Sequence, residues 1–403
     1  MVLVEGHGAL LKDSHGREYI DGNSSIWTNL HGHNHPKINA AIRDQLERVA
    51  HTSFLGFTNP PAIRLAEELL SVANTRGGID HAHFSRVFYS DNGSTAIEVA
   101  LKMAVQFWQQ SGQPQRRQFV AFANAYHGDT MGASSLGGVK IFHERFSAWQ
   151  FPSVHVESVE ELLSLPNAHE VAAVIIEPLM QGAAGMRLWP RGMLAAVRKW
   201  CDQSGALLIT DEVMTAFGRS GKMFASEHEG VFPDFLACAK GLTGGYMPLA
   251  ATLTTEKIFN AFLGGTDKTL YYGHTYTGHQ LGCAAALANL AIFREDRVLE
   301  SLQGKIREME CLLDRLSTLP YVSEVRQCGF MAGIDLKQEG KVPYPPEKLV
   351  GARVCEAAKK HGLLTRPVRD TLVLMPPYCI TSEQLAQAVA ALEMAILEVC
   401  ASA

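Results

Sequence analysis

Nothing in the 403 residues gathers charge into a block: 36 Lys and Arg stand against 41 Asp and Glu, scattered along the chain, for a formal net charge of -5. Without a basic face or stripe, nucleic acid and anionic membrane surfaces are not expected partners. The chain also lacks an apolar run long enough to span a bilayer. Its N-terminus, MVLVEGHGALLKDSHGREYIDG, places charges and glycines where a signal peptide would need an unbroken apolar core. A soluble, cytoplasmic protein with small-molecule partners is the expectation. The eight cysteines are scattered, with no CxxC pair and no His/Cys spacing of a zinc site. No metal is expected, and the thiols read as small buried hydrophobes in a reducing compartment. Repeats and low-complexity tracts are missing as well. At 47% hydrophobic and 19% charged, the chain has an ordinary globular composition, and its length suits one large domain with a smaller partner.

What is present is a rhythm. Short apolar runs read as strands at Val87-Phe88-Tyr89, 119–122, 171–176, 206–209, 235–238 and 249–253. Segments of helical period lie between several of them. One starts near Gly93 and lines up Ile97, Leu101, Ala104 and Trp108 on one face, with Glu98 and Lys102 paired at i, i+4 on another. Apolar strands separated by helices imply an α/β fold with a mostly parallel sheet covered on both faces. From about residue 290 the pattern changes to long charged helices, such as REDRVLESLQGKIREMECLLDRL, then to the short strands of VSEVRQCGFMAGIDL and TLVLMPP. The division expected is a large domain over 45–288 and a smaller α+β domain made of 1–44 with 289–403. Ligands of such sheets sit at the carboxyl ends of the strands.

Four features fall at strand ends. In SDNGSTAIEVA, Gly93 and Ser94 stand between a strand and a helix N-terminus, a turn suited either to a phosphate or to a plain helix cap by Asn92 or Ser94. Asp211 and Glu212 end the apolar run of ALLITDEV; a buried carboxylate there needs a partner, for which an arginine or the protonated ring nitrogen of a cofactor would serve, unless it is an N-cap for the following turn. GRSGK, at 218–222, lacks the spacing and the Ser/Thr of a P-loop, which sets nucleotide hydrolysis aside. Lys240 lies 29 residues after Asp211, in CAKGLTGGYMP. Desolvation would make its amine a usable nucleophile for a carbonyl, whereas an arbitrary lysine would reach into solvent. In NAYHGDT, the Tyr126 ring could cover a planar cofactor, while His127 reads as a satisfied structural histidine.

The combination resembles the fold-type I enzymes of pyridoxal 5′-phosphate, and in particular the class III aminotransferases. It rests on DEVMTAFGRSGKMFASEH, PDFLACAKGLTGGYMP and YGHTYTGHQLGCAAALA. Within that class the chain is most similar to the diaminopelargonic acid aminotransferases of biotin synthesis, through SSIWTNLHGHNHP, VFYSDNGSTAIEVALKMA, NAYHGDTMGA, MQGAAGM and LLTRPVRDTLVLMPPY. The resemblance implies that Lys240 bonds the cofactor and acts as the base, that Asp211 holds the pyridine nitrogen protonated, and that Tyr126 stacks on the ring. It implies that Gly93 and Ser94 bind the phosphate through their backbone. Thr275, with His274 beside it, would reach the phosphate of a neighbouring subunit, so that a homodimer shares its active sites. Arg366 would receive the carboxylate of 8-amino-7-oxononanoate, and Gly273 with Ile26 and Trp27 would line the substrate pocket. The product would be 7,8-diaminononanoate.

Some positions depart from the family. The chain starts where the family carries an upstream segment with an aromatic residue in the pocket, so either the start is truncated or that part of the pocket is built otherwise. Ile26 replaces the first tryptophan of the pair found in members using S-adenosylmethionine, and GHTYTGHQLGC looks more like the lysine-using members, which leaves both amino donors open. Ala216 replaces a usual glycine. An ω-amino acid:pyruvate aminotransferase would share Lys240, Asp211 and the phosphate turn. A non-catalytic binding protein on the same fold is the reading from another class.

Overall fold

The computed structural model describes residues 1–338 and 342–401. Its centre is a seven-stranded sheet built from β1 (Phe84–Ser90), β2 (Gln118–Phe122), β3 (Val154–Val156), β4 (Val171–Ile176), β5 (Leu207–Asp211), β6 (Phe235–Cys238) and β7 (Ala250–Thr255). The order across the sheet is β1-β7-β6-β5-β4-β2-β3. Among these strands only β7 runs against its neighbours. The VAAVII run is buried at every position, as a strand covered on both faces must be.

Helix α1 (Gly93–Gln110) lies on one face and begins with a capping box: the Asn92 side chain accepts from the Thr95 N–H, and the Thr95 side chain answers the N-cap backbone. It buries Ile97, Leu101, Ala104 and Trp108 as its periodicity predicts. It is tied to β7, whose Thr252 Oγ1 donates to Ala96 O at 2.8 Å. The expected Glu98–Lys102 pair does not form. Glu98 Oε1 instead accepts from Thr130 Oγ1 at 2.6 Å and from Ala133 N at 3.0 Å, while Lys102 Nζ lies over the Tyr272 ring. A carboxylate beside two unmet donors satisfies them in preference to an exposed lysine, whose pairing is worth only a few tenths of a kcal/mol, roughly.

The segment read as one charged helix from Arg294 is two. Helix α2 (Gln280–Glu295) ends there, Arg297 turns the chain at φ 48°, and α3 (Val298–Ser317) follows.

The chain ends meet beside the sheet. The strands Leu3–His7, Leu10–Asp13 and Glu18–Asp21 form a meander, and Leu363–Leu364 adds to it in parallel, Leu363 opposite Ile20. A second antiparallel sheet joins Val322–Cys328, Met331–Leu336, Thr371–Leu374 and Pro367–Val368. The backbone of Gly22 bridges the two, donating to Leu364 O and accepting from Met375 N, both at 2.8 Å. The loop that leaves Gly22 is thereby held between the C-terminal strands and the sheet. This brings Ile26 and Trp27 near Arg366, more than 300 positions later in the chain.

Candidate active site

Parallel strands set their carboxyl ends along one edge, and there the chemistry-bearing residues gather. Asp211 is the last residue of β5, Glu177 follows β4, Lys240 comes two residues after β6, Asn92 and Gly93 follow β1, and Tyr126 follows β2. All of them line one cavity of about 1340 Å³. Ile26, Trp27, Ser94 and Arg366 line it too. Gly273, His274 and Thr275 do not belong to this wall; His274 Nδ1 lies at its rim, 3.4 Å from Asp91 Oδ1.

Asp211 is 6% exposed, and its two oxygens are committed. Oδ1 accepts from Val213 N at 3.1 Å, and Oδ2 lies 2.8 Å from His127 Nδ1. The imidazole fixes which way the carboxylate faces. Nε2 of the same ring is buried without a partner, so the reading of His127 as a satisfied histidine holds for one nitrogen only. Its neighbour in sequence behaves differently: Glu212 accepts from Ala225 N, Ser226 N and Thr215 Oγ1 and holds the following turn.

Lys240 adopts φ 44°, a left-handed conformation unusual for a residue with a Cβ. Burial lowers its amine from 10.5 to about 8, although the Asp211 and Glu177 carboxylates favour the charged form. Its Nζ lies 4.6 Å from the centroid of the Trp27 ring. Trp27 is held in turn by its Nε1, which donates to Asn23 Oδ1 at 2.9 Å. The loop reaches the lysine turn only because residue 245 is glycine: a Cβ there would stand 2.7 Å from the Thr28 carbonyl carbon.

At the start of α1, the first helical bond runs from Ala96 N to Asn92 O, and Thr95 N is taken by the Asn92 side chain. The N–H groups of Gly93 and Ser94 precede both, and the two residues line the cavity, as suits a helix N-terminus that also has its cap. A Cβ on Gly93 would meet Val213 Cγ1 at 2.7 Å, so the turn and that valine close on each other. Tyr126 hydrogen-bonds Asp129 Oδ2 through its hydroxyl at 2.8 Å, and its ring faces His143 with centroids 6.1 Å apart.

Three further groups were not among the sequence-derived candidates. Glu177 accepts from Tyr126 N at 3.1 Å and Gly182 N at 2.9 Å, and burial pushes its carboxyl up to about 7. Val213 lies between Asp211 and Met214 on the cavity wall. Arg369 joins Arg366 on that wall, at the tip of the hairpin of which Pro367–Val368 is one strand. Glu177 had a signal, since it ends an apolar strand much as Asp211 does. Ala216, the replacement for a glycine, is not among the left-handed residues and fits its turn. Among the described residues no cluster of three or more His, Cys, Asp or Glu is placed to hold a metal, and no helix is long and apolar enough to cross a membrane.

The family model for aminotransferase class-III matches residues 1–396. The adenosylmethionine-8-amino-7-oxononanoate aminotransferase of Geobacter sulfurreducens is 44% identical, over 98% of this chain and 92% of that protein. The protein of the same name from Nitratidesulfovibrio vulgaris is 46% identical, over 99% and 77%. Among solved structures, the adenosylmethionine-8-amino-7-oxononanoate aminotransferase of Methanocaldococcus jannaschii superposes with a TM-score of 0.95 at 41% identity, covering 99% of this chain and 93% of that one. A PLP-bound amine transaminase from an uncultivated Pseudomonas species gives 0.92 at 34%, covering 99% and 95%.

Proposed function

The chain belongs to the class III aminotransferases, and on that premise we propose that it converts 8-amino-7-oxononanoate to 7,8-diaminononanoate in biotin synthesis, using pyridoxal 5′-phosphate. Its fold is the α/β architecture of the fold-type I transferases. The observation that carries the reading is the convergence of Lys240, the Asp211–His127 pair, the free N–H groups of Gly93 and Ser94, and Arg366 on one cavity. The names of the relatives favour S-adenosylmethionine over L-lysine as amino donor.

The residues present fit this cofactor. A phosphate suits the N–H groups ahead of the first helical bond of α1. Gly93 approaches Val213 too closely for a Cβ, and Val213 and the Tyr126 ring line the same cavity, an apolar side chain and an aromatic face suited to a planar ring. His127 reaches Asp211 through Nδ1 while its buried Nε2 has no partner, which supports an orienting part for this pair beside the cavity. Bound pyridoxal 5′-phosphate supplies a carbonyl that bonds an amine and a ring that accepts an electron pair.

The remaining chemistry is the chain's own. Lys240 Nζ, with a neutral fraction available near pH 7, would hold the cofactor's carbonyl and would serve as the base that takes and returns the proton whose movement interconverts amine and ketone. Asp211, whose Oδ2 is held by His127 Nδ1, would keep a proton on the cofactor's ring nitrogen. Arg366 binds the substrate carboxylate, and Ile26, Trp27 and Met214 offer an apolar wall to the methylene chain. A second copy of the chain brings Gly273, His274 and Thr275 to the site, which accounts for their place outside the wall of their own cavity. The division into a large domain over 45–288 and a small one from the described residues of 1–44 and 289–403 is part of this proposal, with helices Pro36–Arg48 and Gln280–Glu295 running across its two boundaries.

The test is turnover by purified protein loaded with pyridoxal 5′-phosphate, given 8-amino-7-oxononanoate with S-adenosylmethionine or with lysine, the diamine being read by mass spectrometry. Product with neither donor, alongside activity on ω-amino acids with pyruvate, replaces this reading by that of an ω-aminotransferase. A protein that binds the cofactor yet processes no amine is a binding protein.

A further inference from the structure

Behind the cavity wall, a buried polar chain ends on the turn that carries Lys240. Asn289, on α2, is fully buried, and its Nδ2 donates to Gly241 O and Leu242 O, both at 3.0 Å. These are the two carbonyls that follow Lys240. Its Oδ1 lies 2.8 Å from His31 Nε2, so the arrangement is satisfied only with the amide oxygen toward the imidazole and with His31 donating from Nε2. Burial lowers His31 to about 4, which keeps the ring neutral, and the Phe293 ring packs edge-on against it at 5.2 Å. The turn has little freedom elsewhere: a Cβ on Gly241 would stand 3.0 Å from Leu30 Cδ1, and one on Gly244 would stand 3.1 Å from Ile38 Cδ1.

A left-handed lysine persists only where its surroundings over-determine it. Both carbonyls beyond it accept from one amide, that of Asn289, and within the turn itself Gly241 O also accepts from Gly244 N at 2.9 Å. We propose that Asn289, oriented by His31, is a positioning residue that fixes the backbone of Lys240 and thereby aims its Nζ into the cavity. The proposal rests on the reading of Lys240 as the amine that bonds pyridoxal 5′-phosphate. It explains why a buried histidine and asparagine, each costly to bury unless paired, stand in this core. It also gives His31, which touches neither substrate nor cofactor wall, a route to the reaction through one side chain and one peptide turn.

The experiment measures the rate at which pyridoxal 5′-phosphate, added to cofactor-free protein, attaches to Lys240, trapped with borohydride and located by peptide mass. The rate is normalised to folded protein by gel filtration. Asn289→Asp keeps the size and the oxygen facing His31 but places an oxygen against two carbonyls. It is expected to slow attachment at least tenfold and to lower kcat by a similar factor, with the KM values changed less than threefold. His31→Gln keeps an N–H for Asn289 and should stay within threefold of the wild type, whereas His31→Phe should slow attachment at least tenfold. Attachment within twofold of the wild type in Asn289→Asp, with at most a lowered melting temperature, overturns the proposal and leaves the reading of Lys240 intact. If Asn289→Asp does not fold, equal rates for His31→Gln and His31→Phe overturn it instead. No attachment at Lys240 in the wild type overturns the reading itself and the proposal with it.

Discussion

The amine of Lys240 offers a number that can be wrong. Burial takes it from 10.5 to about 8, the Arg219 guanidinium acts in the same direction, and the carboxylates of Asp211 and Glu177 oppose both. At pH 7 an amine of pKa about 8 is neutral in roughly one molecule in eleven, against roughly one in 3000 at the ordinary value. An acylating reagent at pH 7 should therefore meet about 300-fold more neutral amine at Lys240 than at an unburied lysine of equal access. The assay is competitive acetylation of cofactor-free protein from pH 6 to 11, with exposed Lys199 as internal reference and peptides quantified by mass. The midpoint for Lys240 should fall near 8. Asp211→Asn removes a charge that favours the ammonium, so it should move the midpoint further down. A wild-type midpoint above 10, or an upward movement in Asp211→Asn, refutes the reasoning. The same shift has a consequence for stability. The folded value lies below the unfolded one, so the unfolded chain binds more protons between about pH 8 and 10.5, and stability should rise with pH across that window by at most about 3 kcal/mol.

Arg366→Ala should lower kcat/KM for 8-amino-7-oxononanoate roughly 10- to 150-fold, the equivalent of a charge-assisted hydrogen bond of about 1.5–3 kcal/mol. An amine substrate without a carboxylate should be affected less than threefold, and equal losses for the two in steady-state kinetics would count against a carboxylate site. Gly245→Ala, at φ 87° and with a Cβ 2.7 Å from the Thr28 backbone, should cost about 2–4 kcal/mol in denaturant melts, since both strain and overpacking act. A cost under about 0.5 kcal/mol would mean that the Trp27 loop yields freely. Glu177, raised to about 7, keeps its proton in the folded state where the unfolded chain has lost it. Its contribution relative to Glu177→Gln should be full below about pH 4.5 and fall by at most about 3 kcal/mol as pH rises through 7, read from melts at pH 5 and 7.5.

How much of this could be read from the sequence follows from how far each interaction reaches along the chain. The strands 171–176 and 235–238 have those bounds in the structure because an apolar run of that length between helices carries its own boundary signal. Tyr126, Asp211 and Lys240 were legible for a related reason: each sits at or just past the end of such a run, and parallel strands collect their ends at one edge. Local spacing fails where the partner is remote. Asp211 and His127 are 84 positions apart, and His31 and Asn289 are 258 apart, so no periodicity links them. Glu98 shows the converse error, since an i, i+4 lysine is visible in sequence and the two donors near Thr130 are not.

Val213 and Arg369 escaped sequence reading as plain wall residues, whereas Glu177 and Asn289 escaped it, and His127 was read as structural, because their contacts orient other groups. Tyr126 and Lys240 have a chemistry of their own, but His127, Glu177 and Asn289 act by satisfying another residue, and that relation exists only after the sheet has set its strand ends side by side. A site assembled in this way couples function to folding at particular bonds. A small rotation of the turn beneath Lys240 would leave every named side chain present and its amine aimed elsewhere.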